Sequence, residues 1–200
     1  MLVNGKALVR HALEHAKLVW NAEELILVAA PSNVDHLIDV TWDPWQENAD
    51  VDIVIQPRPT SILDAIKRGA RMAHHERLLI LCADNTFDGN IFVDERLRSA
   101  NVIATRVVFS EDEANRFTRL ITDPNDKNDV KTWIAVRGNE TRSRRVWIGP
   151  LLLDTVKVMQ AFEVHAPATI EALINQCSHE RGLEVMTMSC EDFGVPEMVL

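Results

Sequence analysis

Hydrophobic and polar positions alternate in blocks along the first half of the chain, and the block lengths separate helices from strands. The segment "GKALVRHALEHAKLVW" (5–20) repeats apolar residues at helical spacing. The runs "ELILVAA" (24–30) and "DIVIQ" (52–56) are short and apolar, which is typical of strands. The pattern therefore predicts one helix followed by two strands.

The next block, "PRPTSILDAIKRGARMAHH" (57–75), predicts an amphipathic helix. Its apolar residues recur at i, i+3, i+4 and i+7 from Ile62, and Pro59 lies near the start, where a missing N–H is tolerated. The run "RLLILC" (77–82) follows and is too apolar to be exposed on either face. Strands covered on both faces and separated by helices indicate a mainly parallel sheet in an α/β layer structure.

The second half predicts shorter elements. "NVIATRVVF" (101–109) is typical of another central strand, and the aromatic and β-branched segments between residues 114 and 154 predict shorter or antiparallel strands. "TIEALINQCSHERG" (169–182) predicts a helix with Thr169 as N-cap, followed by a strand over 183–189. No linker divides the chain, so we expect a single domain over residues 1–200.

Composition excludes several classes of function. A net charge of −9 argues against nucleic acid or an anionic membrane as the main partner. No apolar run reaches the roughly 18 residues of a membrane span, and the N-terminus lacks a secretory signal pattern. The three cysteines show no CxxC spacing, which favours a reducing, cytoplasmic setting.

One stretch, "LLILCADN" (78–85), combines burial with charge. An apolar run that is typical of a buried strand is followed by Asp84. Burying an unpaired carboxylate in an apolar interior costs several kcal/mol of folding free energy. Ligands of α/β sheets lie beyond the carboxyl ends of the strands, where Gln56 also follows its strand. Two interpretations stay open: a surface turn, which Asp and Asn favour, and a Mg²⁺ site.

Several motifs occur in the order found in a known family. "NGKALVRHALEHA", "QPRPTSILDAI", "LLILCADNTFDG", "EDEANRFTRLITD", "VWIGPLLLD" and "CEDFGVPEMV" together resemble the sugar-nucleotide nucleotidyltransferases, most closely the glucose-1-phosphate thymidylyltransferases. The resemblance covers nearly the whole chain. It implies a three-layer α/β fold with a mostly parallel, Rossmann-like sheet of the GT-A-like type.

The resemblance also implies roles for individual residues. Asp84 and Asp192 would bind Mg²⁺, Gln56 would contact a pyrimidine base, and Gly149 would let the backbone approach the sugar. Ser61 stands where the family has a base-contacting glycine. The implied reaction is attack of a sugar 1-phosphate oxygen on the α-phosphorus of an NTP, with release of pyrophosphate and with Mg²⁺ as cofactor.

Some positions depart from the family pattern. Val136 and Arg137 fall where a Glu-Lys pair contacts sugar and phosphate; Arg137 keeps the positive charge and is the candidate catalytic cation. The family's glycine-rich loop and its lysine lie upstream of the motif that here begins at Asn4, so the first strand and phosphate loop are apparently missing. Two explanations stay open: a truncated transferase, or a catalytically inactive relative that binds or scaffolds, in either case as a possible homo-oligomer.

A rival chemistry comes from "HALEH" (11–15), which matches the H-x-x-E-H pattern of some zinc proteases. His11 and His15 would lie one helical turn apart and Glu14 would serve as base. A five-residue match is a weak signal, and no third ligand can be assigned.

Overall fold

The computed structural model describes residues 2–3, 6–41, 51–90, 95–122, 133–179 and 182–192, so the end of the last family motif lies outside the described residues. The strands are β1 (Leu2–Val3), β2 (Lys6–Ala7), β3 (Leu25–Ala29), β4 (Val51–Ile55), β5 (Arg77–Ile80), β6 (Asn85–Asp88), β7 (Val102–Val107), β8 (Arg119–Thr122), β9 (Trp133–Val136), β10 (Arg145–Asp154), β11 (Glu184–Thr187) and β12 (Ser189–Asp192). The helices are α1 (Leu8–Glu14), α2 (Val34–Thr41), α3 (Ile62–Met72), α4 (Glu111–Ala114), α5 (Thr155–Gln160) and α6 (Ile170–Ser178). Wider π-helical turns extend α1 over His15–Val19 and α5 over Ala161–His165. Among the described helices, none has both the length and the apolar character to cross a bilayer.

The six-stranded sheet is mixed: among its described strand pairs only β7–β11 is parallel, because β10 lies beside β5, β7 and β8 and runs opposite to them, where the sequence predicted a mostly parallel sheet. Strand β10 runs antiparallel to both β5 and β7, and β11 runs parallel to β7, so β5, β7 and β11 share one direction and β10 opposes them. Strands β3 and β4 form a separate parallel pair. The shorter antiparallel strands predicted for the second half are present as β8 and β9, which extend from β10 at Val146.

Two hydrophobic clusters lie on opposite faces of this sheet and make the three layers. One cluster joins α1 to β3 through Leu25 and Leu27. The other joins α3, α5 and α6 to the inward faces of β7 and β10. Side chains alternate between faces along a strand, so Val28 points away from α1, and its methyl carbon would lie 3.4 Å from a Cβ built on Gly69 of α3. The α/β three-layer prediction is confirmed.

Helix starts follow local capping chemistry. The Thr169 hydroxyl accepts a hydrogen bond from the backbone N–H of Ala172, which confirms the predicted N-cap. Helix α3 begins at Ile62, later than its sequence block, because Ser61 adopts an extended backbone and caps the helix by accepting from the N–H of Asp64. The proline-containing residues before it stay outside the helix, since a proline disfavours helical backbone in the residue that precedes it.

An ion pair holds the starts of β3 and β5 together. Glu24 accepts hydrogen bonds from the backbone N–H of His74 at 3.0 Å and from its ring Nδ1 at 2.6 Å. Burial raises the pKa of Glu24, but the hydrogen bonds from His74 outweigh it and hold that pKa below its ordinary value. The hydrogen bond to Glu24 raises the pKa of His74. Strands β3 and β5 therefore start at the same end of the molecule.

This pair predicts a pH-dependent contribution to stability. The raised pKa of His74 gives stabilisation that is complete below its ordinary value of 6.5 and lost as the pH rises through the raised pKa. The lowered pKa of Glu24 gives stabilisation that is present above 4.5 and lost as the pH falls through the lowered pKa. We expect His74→Gln to lower the thermal midpoint more at about pH 6 than at about pH 9. The exposed His165, changed to Gln, is the control; an equal loss at both pH values for His74→Gln would contradict the prediction.

Candidate functional site

The two predicted metal residues are brought close together by strand pairing. Asp84 is exposed in the turn that follows β5, and Asn85 begins β6. Strand β12 pairs antiparallel with β6 in a register that sets Asp192 opposite Asn85. Asp192 is therefore paired with the immediate chain neighbour of Asp84, although the two residues are far apart in sequence. Metal binding by the pair stays a prediction.

Gly149 lies against the same segment. The Asn85 side-chain amide donates to the backbone oxygen of Ile148 at 2.8 Å. Gly149 has φ +121°, and a Cβ built there would lie 3.0 Å from Asn85 Nδ2 and 3.3 Å from Phe87 Cε1. The pairing of β10 with β7 shifts register around this glycine. The backbone at Gly149 therefore packs directly against Asn85 and Phe87, and a side chain at position 149 would crowd both residues.

We predict that Gly149→Ala costs about 2–3 kcal/mol of unfolding free energy, because the alanine would combine a left-handed backbone with contact against Asn85. Urea denaturation measures the loss. Gly89→Ala is the matched control: Gly89 also has a positive φ, of +94°, but no described atom lies within 4 Å of its built Cβ. Equal losses in the two variants would show that crowding at Asn85 contributes nothing.

Asn85 is a site residue that the sequence prediction missed. It is 6% exposed, and within the described residues its Oδ1 is buried and accepts no hydrogen bond. A buried amide oxygen without a hydrogen bond is energetically unfavourable, and a hydrogen-bond donor, a water molecule or a cation would satisfy it. The exposed carboxylate of Asp84 directly precedes it in the chain, and carboxylate and amide oxygens are the hard donors that Mg²⁺ prefers.

Gln56 forms a second group at the start of α3. It is 7% exposed, and its Nε2 donates to the Ser61 backbone oxygen at 3.1 Å and to Asp64 Oδ2 at 3.0 Å. Arg68 Nε also donates to Asp64 Oδ2, at 2.8 Å, and this hydrogen bond holds the pKa of Asp64 below its ordinary value. Both amide hydrogens of Gln56 are therefore used inside the chain. Asp64 was missed by the sequence prediction, although its position three residues after Ser61 is a capping signal.

Ser61 and Arg137 line one cleft of about 550 Å³. The N-terminal residues of α3 form one wall, and Thr169 and Ile170 at the start of α6 form another. Arg137 is exposed and directly precedes the 3₁₀ turn Gly138–Glu140. The structure thus places Arg137, the candidate catalytic residue, and Ser61, a candidate nucleotide-binding residue, in the same cleft.

A buried arginine holds the loop that follows Arg137. Arg119 is fully buried, and its Nη1 donates to the backbone oxygens of Thr141 at 2.7 Å and Ser143 at 2.9 Å. Its Nη2 donates to Glu111 Oε1 and to Asn115 Oδ1, both at 2.6 Å. Nothing in the strand pattern "RLIT" marks this residue, because an arginine in a short strand normally faces solvent.

The zinc motif gains no support from its surroundings. Glu14 accepts hydrogen bonds from Lys6 and Arg10, and His15 Nε2 lies 2.9 Å from the backbone oxygen of Gly89. Across the described part of the chain, no three His, Cys, Asp or Glu side chains are grouped as a metal site would need.

Comparison with known proteins identifies the fold. The chain matches no protein-family model and no protein of curated function. Among solved structures, a glucose-1-phosphate thymidylyltransferase from Bacillus anthracis in complex with sucrose aligns with a TM-score of 0.78 at 15% identity, over 96% of this chain and 79% of that one. A UDP-glucose pyrophosphorylase bound to UDP-glucose aligns with a TM-score of 0.72 at 16% identity, over 95% and 82%. A UTP-bound enzyme of this type from Acinetobacter baumannii aligns with a TM-score of 0.65 at 15% identity, over 93% and 75%. The resemblance seen in the motifs is confirmed at the level of architecture: the chain has the fold of the sugar-nucleotide nucleotidyltransferases.

Proposed function

We propose that this protein transfers a nucleotidyl group from an NTP, with a pyrimidine base favoured, to a sugar 1-phosphate and releases pyrophosphate, with Mg²⁺ as cofactor. The observation that carries the proposal is the β6–β12 register, which sets Asp192 opposite Asn85 and beside Asp84. Two acidic residues that are far apart in the sequence are thus placed on neighbouring backbone beyond the carboxyl end of β5, and α/β sheets bind ligands at the carboxyl ends of their strands.

Asp84, Asp192 and the Asn85 amide oxygen would hold the ion. When bound, Mg²⁺ would orient the phosphates and offset the negative charge that builds up on them during transfer. Asp84 is exposed, so it is accessible to a metal–nucleotide complex from solvent. Gly149 would contribute by the absence of a side chain, since its backbone approaches Asn85 and Phe87 so closely.

Arg137 would bind phosphate oxygens from the cleft that it shares with Ser61. Its guanidinium is always charged and can donate two parallel hydrogen bonds to a phosphate. Gln56 would reach the base through its carbonyl oxygen, because its two amide hydrogens are already donated to Ser61 and Asp64. An amide oxygen accepts from a base N–H, which pairs it with the N3–H of uracil or thymine.

The test incubates the protein with Mg²⁺, each of several NTPs and a panel of sugar 1-phosphates, and measures pyrophosphate. We expect release that requires both substrates and stops when EDTA removes the metal. Thermal shifts with each NTP report binding independently, since a ligand at 100 times its Kd stabilises by about 2.7 kcal/mol. Pyrophosphate release without a sugar phosphate, or none with any pair, would contradict the proposal.

The second candidate is a catalytically inactive binding or scaffolding protein on this fold. The engagement of both Gln56 amide hydrogens with Ser61 and Asp64 favours it, because these donors then support the start of α3 and leave only an acceptor for a base. Thermal stabilisation by an NTP or a sugar phosphate without turnover would support this candidate over the transferase.

A further inference from the structure

Two arginines line the cleft of about 550 Å³ that contains Ser61. They are Arg137 and Arg116, the second of which lies in the turn that follows α4, and they are called the cleft arginines below. Among the described residues that line this cleft, the only other charged residue is Glu171. The cleft therefore has an excess of positive charge although the whole chain has a net charge of −9, and such a cleft attracts anions.

Close packing of two backbone segments brings the cleft arginines together. A Cβ built on Gly138 would lie 2.5 Å from the Asn115 backbone oxygen and 2.9 Å from the Phe117 backbone oxygen. Gly138 directly follows Arg137, and Arg116 lies between the two residues that Gly138 contacts. The backbones that carry the two guanidinium groups are therefore in direct contact, and a side chain at position 138 would force them apart.

The buried Arg119 fixes the same two segments. Its guanidinium donates to the Asn115 side chain on the first segment and to the backbone oxygens of Thr141 and Ser143 on the second. These are the segments that carry the cleft arginines. An anion would therefore meet two guanidinium groups whose backbone is already held in place, which lowers the entropic cost of binding.

Carboxylates near Arg116 are paired with other arginines. In α4, Glu111 accepts a hydrogen bond from Arg119, and Glu113 accepts one from Arg106. Within the part of the chain that the structure describes, neither cleft arginine forms an ion pair or a side-chain hydrogen bond. Both are exposed, so their N–H groups are available to a ligand from solvent.

Glu171 restricts where negative charge can lie in the cleft. Its carboxylate, in the first turn of α6, accepts a hydrogen bond from the Thr118 hydroxyl at 2.7 Å. A second negative charge beside this carboxylate would be repelled. The anionic group of a ligand is therefore expected at the arginines, and the part of the ligand that extends towards α6 is expected to be uncharged.

We propose that this cleft binds a phosphomonoester dianion between Arg116 and Arg137. A phosphomonoester carries a charge of about −1.5 to −2 near pH 7 and has three acceptor oxygens, and each guanidinium can donate two parallel hydrogen bonds to such a group. A carboxylate or a phosphodiester carries a single charge, which one arginine would neutralise. This inference rests on the phosphate contact of Arg137 in the proposed function, and it adds Arg116 and the selection of a dianion.

The test measures binding without metal and without transfer. Isothermal titration calorimetry in buffer with EDTA compares three dianions (glucose 1-phosphate, UMP and inorganic phosphate) with dimethyl phosphate, which is a monoanion, and with uncharged glucose. We expect the Kd of glucose 1-phosphate or UMP to be at least about tenfold lower than that of dimethyl phosphate. The tighter of these two ligands identifies whether the sugar phosphate or the nucleotide supplies the phosphomonoester.

Variants assign the binding to the cleft. Arg116→Met and Arg137→Met should each raise the Kd of the tighter dianion at least about tenfold, because each removes charged hydrogen bonds. Arg116→Lys should recover part of the affinity, since an ammonium keeps the charge without the planar fork. The matched control is Arg71→Met, which removes an exposed arginine in the last turn of α3, at the end away from the cleft, and should change the Kd less than about twofold.

Four results would overturn the proposal. An unchanged Kd in Arg116→Met would mean that Arg137 alone holds the phosphate, and an equal loss in Arg71→Met would mean that only the overall charge matters. Equal affinity for glucose and glucose 1-phosphate, or no binding of any dianion, would exclude a phosphate site in this cleft. Because these measurements use no Mg²⁺ and no turnover, an absence of pyrophosphate release would leave them unaffected.

Discussion

Asp84→Asn is expected to lower Mg²⁺-dependent pyrophosphate release by at least about 100-fold, the size of effect seen when one electrostatic group is removed from a reacting centre. The substitution keeps the shape of the side chain and removes its charge. Asp192→Asn should have an effect of similar size, because the register that sets Asp192 opposite Asn85 brings both residues to the same rim. Initial rates at saturating NTP and varied Mg²⁺ measure both losses.

Asp88→Asn is the matched control for these variants. Asp88 is an exposed carboxylate at the end of β6 that lies away from Asp84, so the substitution removes the same charge nearby without touching the rim. We expect its rate to stay within about twofold of the wild type, since exposed substitutions of this kind have small effects. Raising the Mg²⁺ concentration should partly rescue the two rim variants and should not change the control.

A second readout keeps the metal assignment testable if turnover is absent. Thermal stabilisation by an NTP should require Mg²⁺ in the wild type and in Asp88→Asn, and should be lost in Asp84→Asn. Stabilisation that survives in both rim variants would mean that the cation is bound elsewhere. The carboxyl pair would then have no metal-binding role.

The positions of the main helices and strands could be predicted because their signals are local, whereas the antiparallel course of β10 depends on its strand neighbours. Thr169 was predicted as a cap from its position before an apolar helical pattern, and the structure confirms it. The strand at 77–82 was predicted to be covered on both faces; Leu78 and Leu79 of β5 do contact opposite layers, but every residue of β5 is only half-buried. Periodicity and capping chemistry carry this information within about ten residues of chain.

The details of the candidate site could not be predicted because they arise from contacts between distant segments. Asn85 follows Asp84 in a pattern that is also typical of a surface turn, and only the pairing with β12 and the approach of Gly149 explain its burial. Gln56 was predicted to face a ligand. Its hydrogen bond to the Asp64 carboxylate forms because α3 starts after Ser61, which places Asp64 in the first turn. The cavity between β3 and β5 likewise depends on how distant segments pack, which no local pattern reports.

The burial of Arg119 also depends on distant segments and could not be predicted from the sequence. Of the residues discussed, Arg119 is expected to have the largest effect on the free energy of unfolding. Its side chain is fully buried and donates to acceptors on two segments: Glu111, Ala114 and Asn115 in and directly after α4, and the loop oxygens of Thr141 and Ser143. A buried guanidinium is tolerated only where its donors are paired, and here the pairs also fix the loop that follows Arg137. Ser143 adds a further link from its hydroxyl to the backbone oxygen of Leu120, at 2.6 Å.

We therefore predict that Arg119→Met lowers the free energy of unfolding by about 3–5 kcal/mol, because a methionine fills the space but leaves the loop carbonyls without donors. Arg119→Lys should recover part of this loss, since an ammonium keeps the charge but cannot reproduce the planar fork. The neighbouring exposed Arg116, changed to Met, should cost no more than about 0.5 kcal/mol in the same urea titration. Amide exchange over residues 141–144 should accelerate in Arg119→Met alone. If both methionine variants lose the same small amount, the arginine does not hold this loop, and the position of Arg137 must be maintained by the β9 and β10 strands instead.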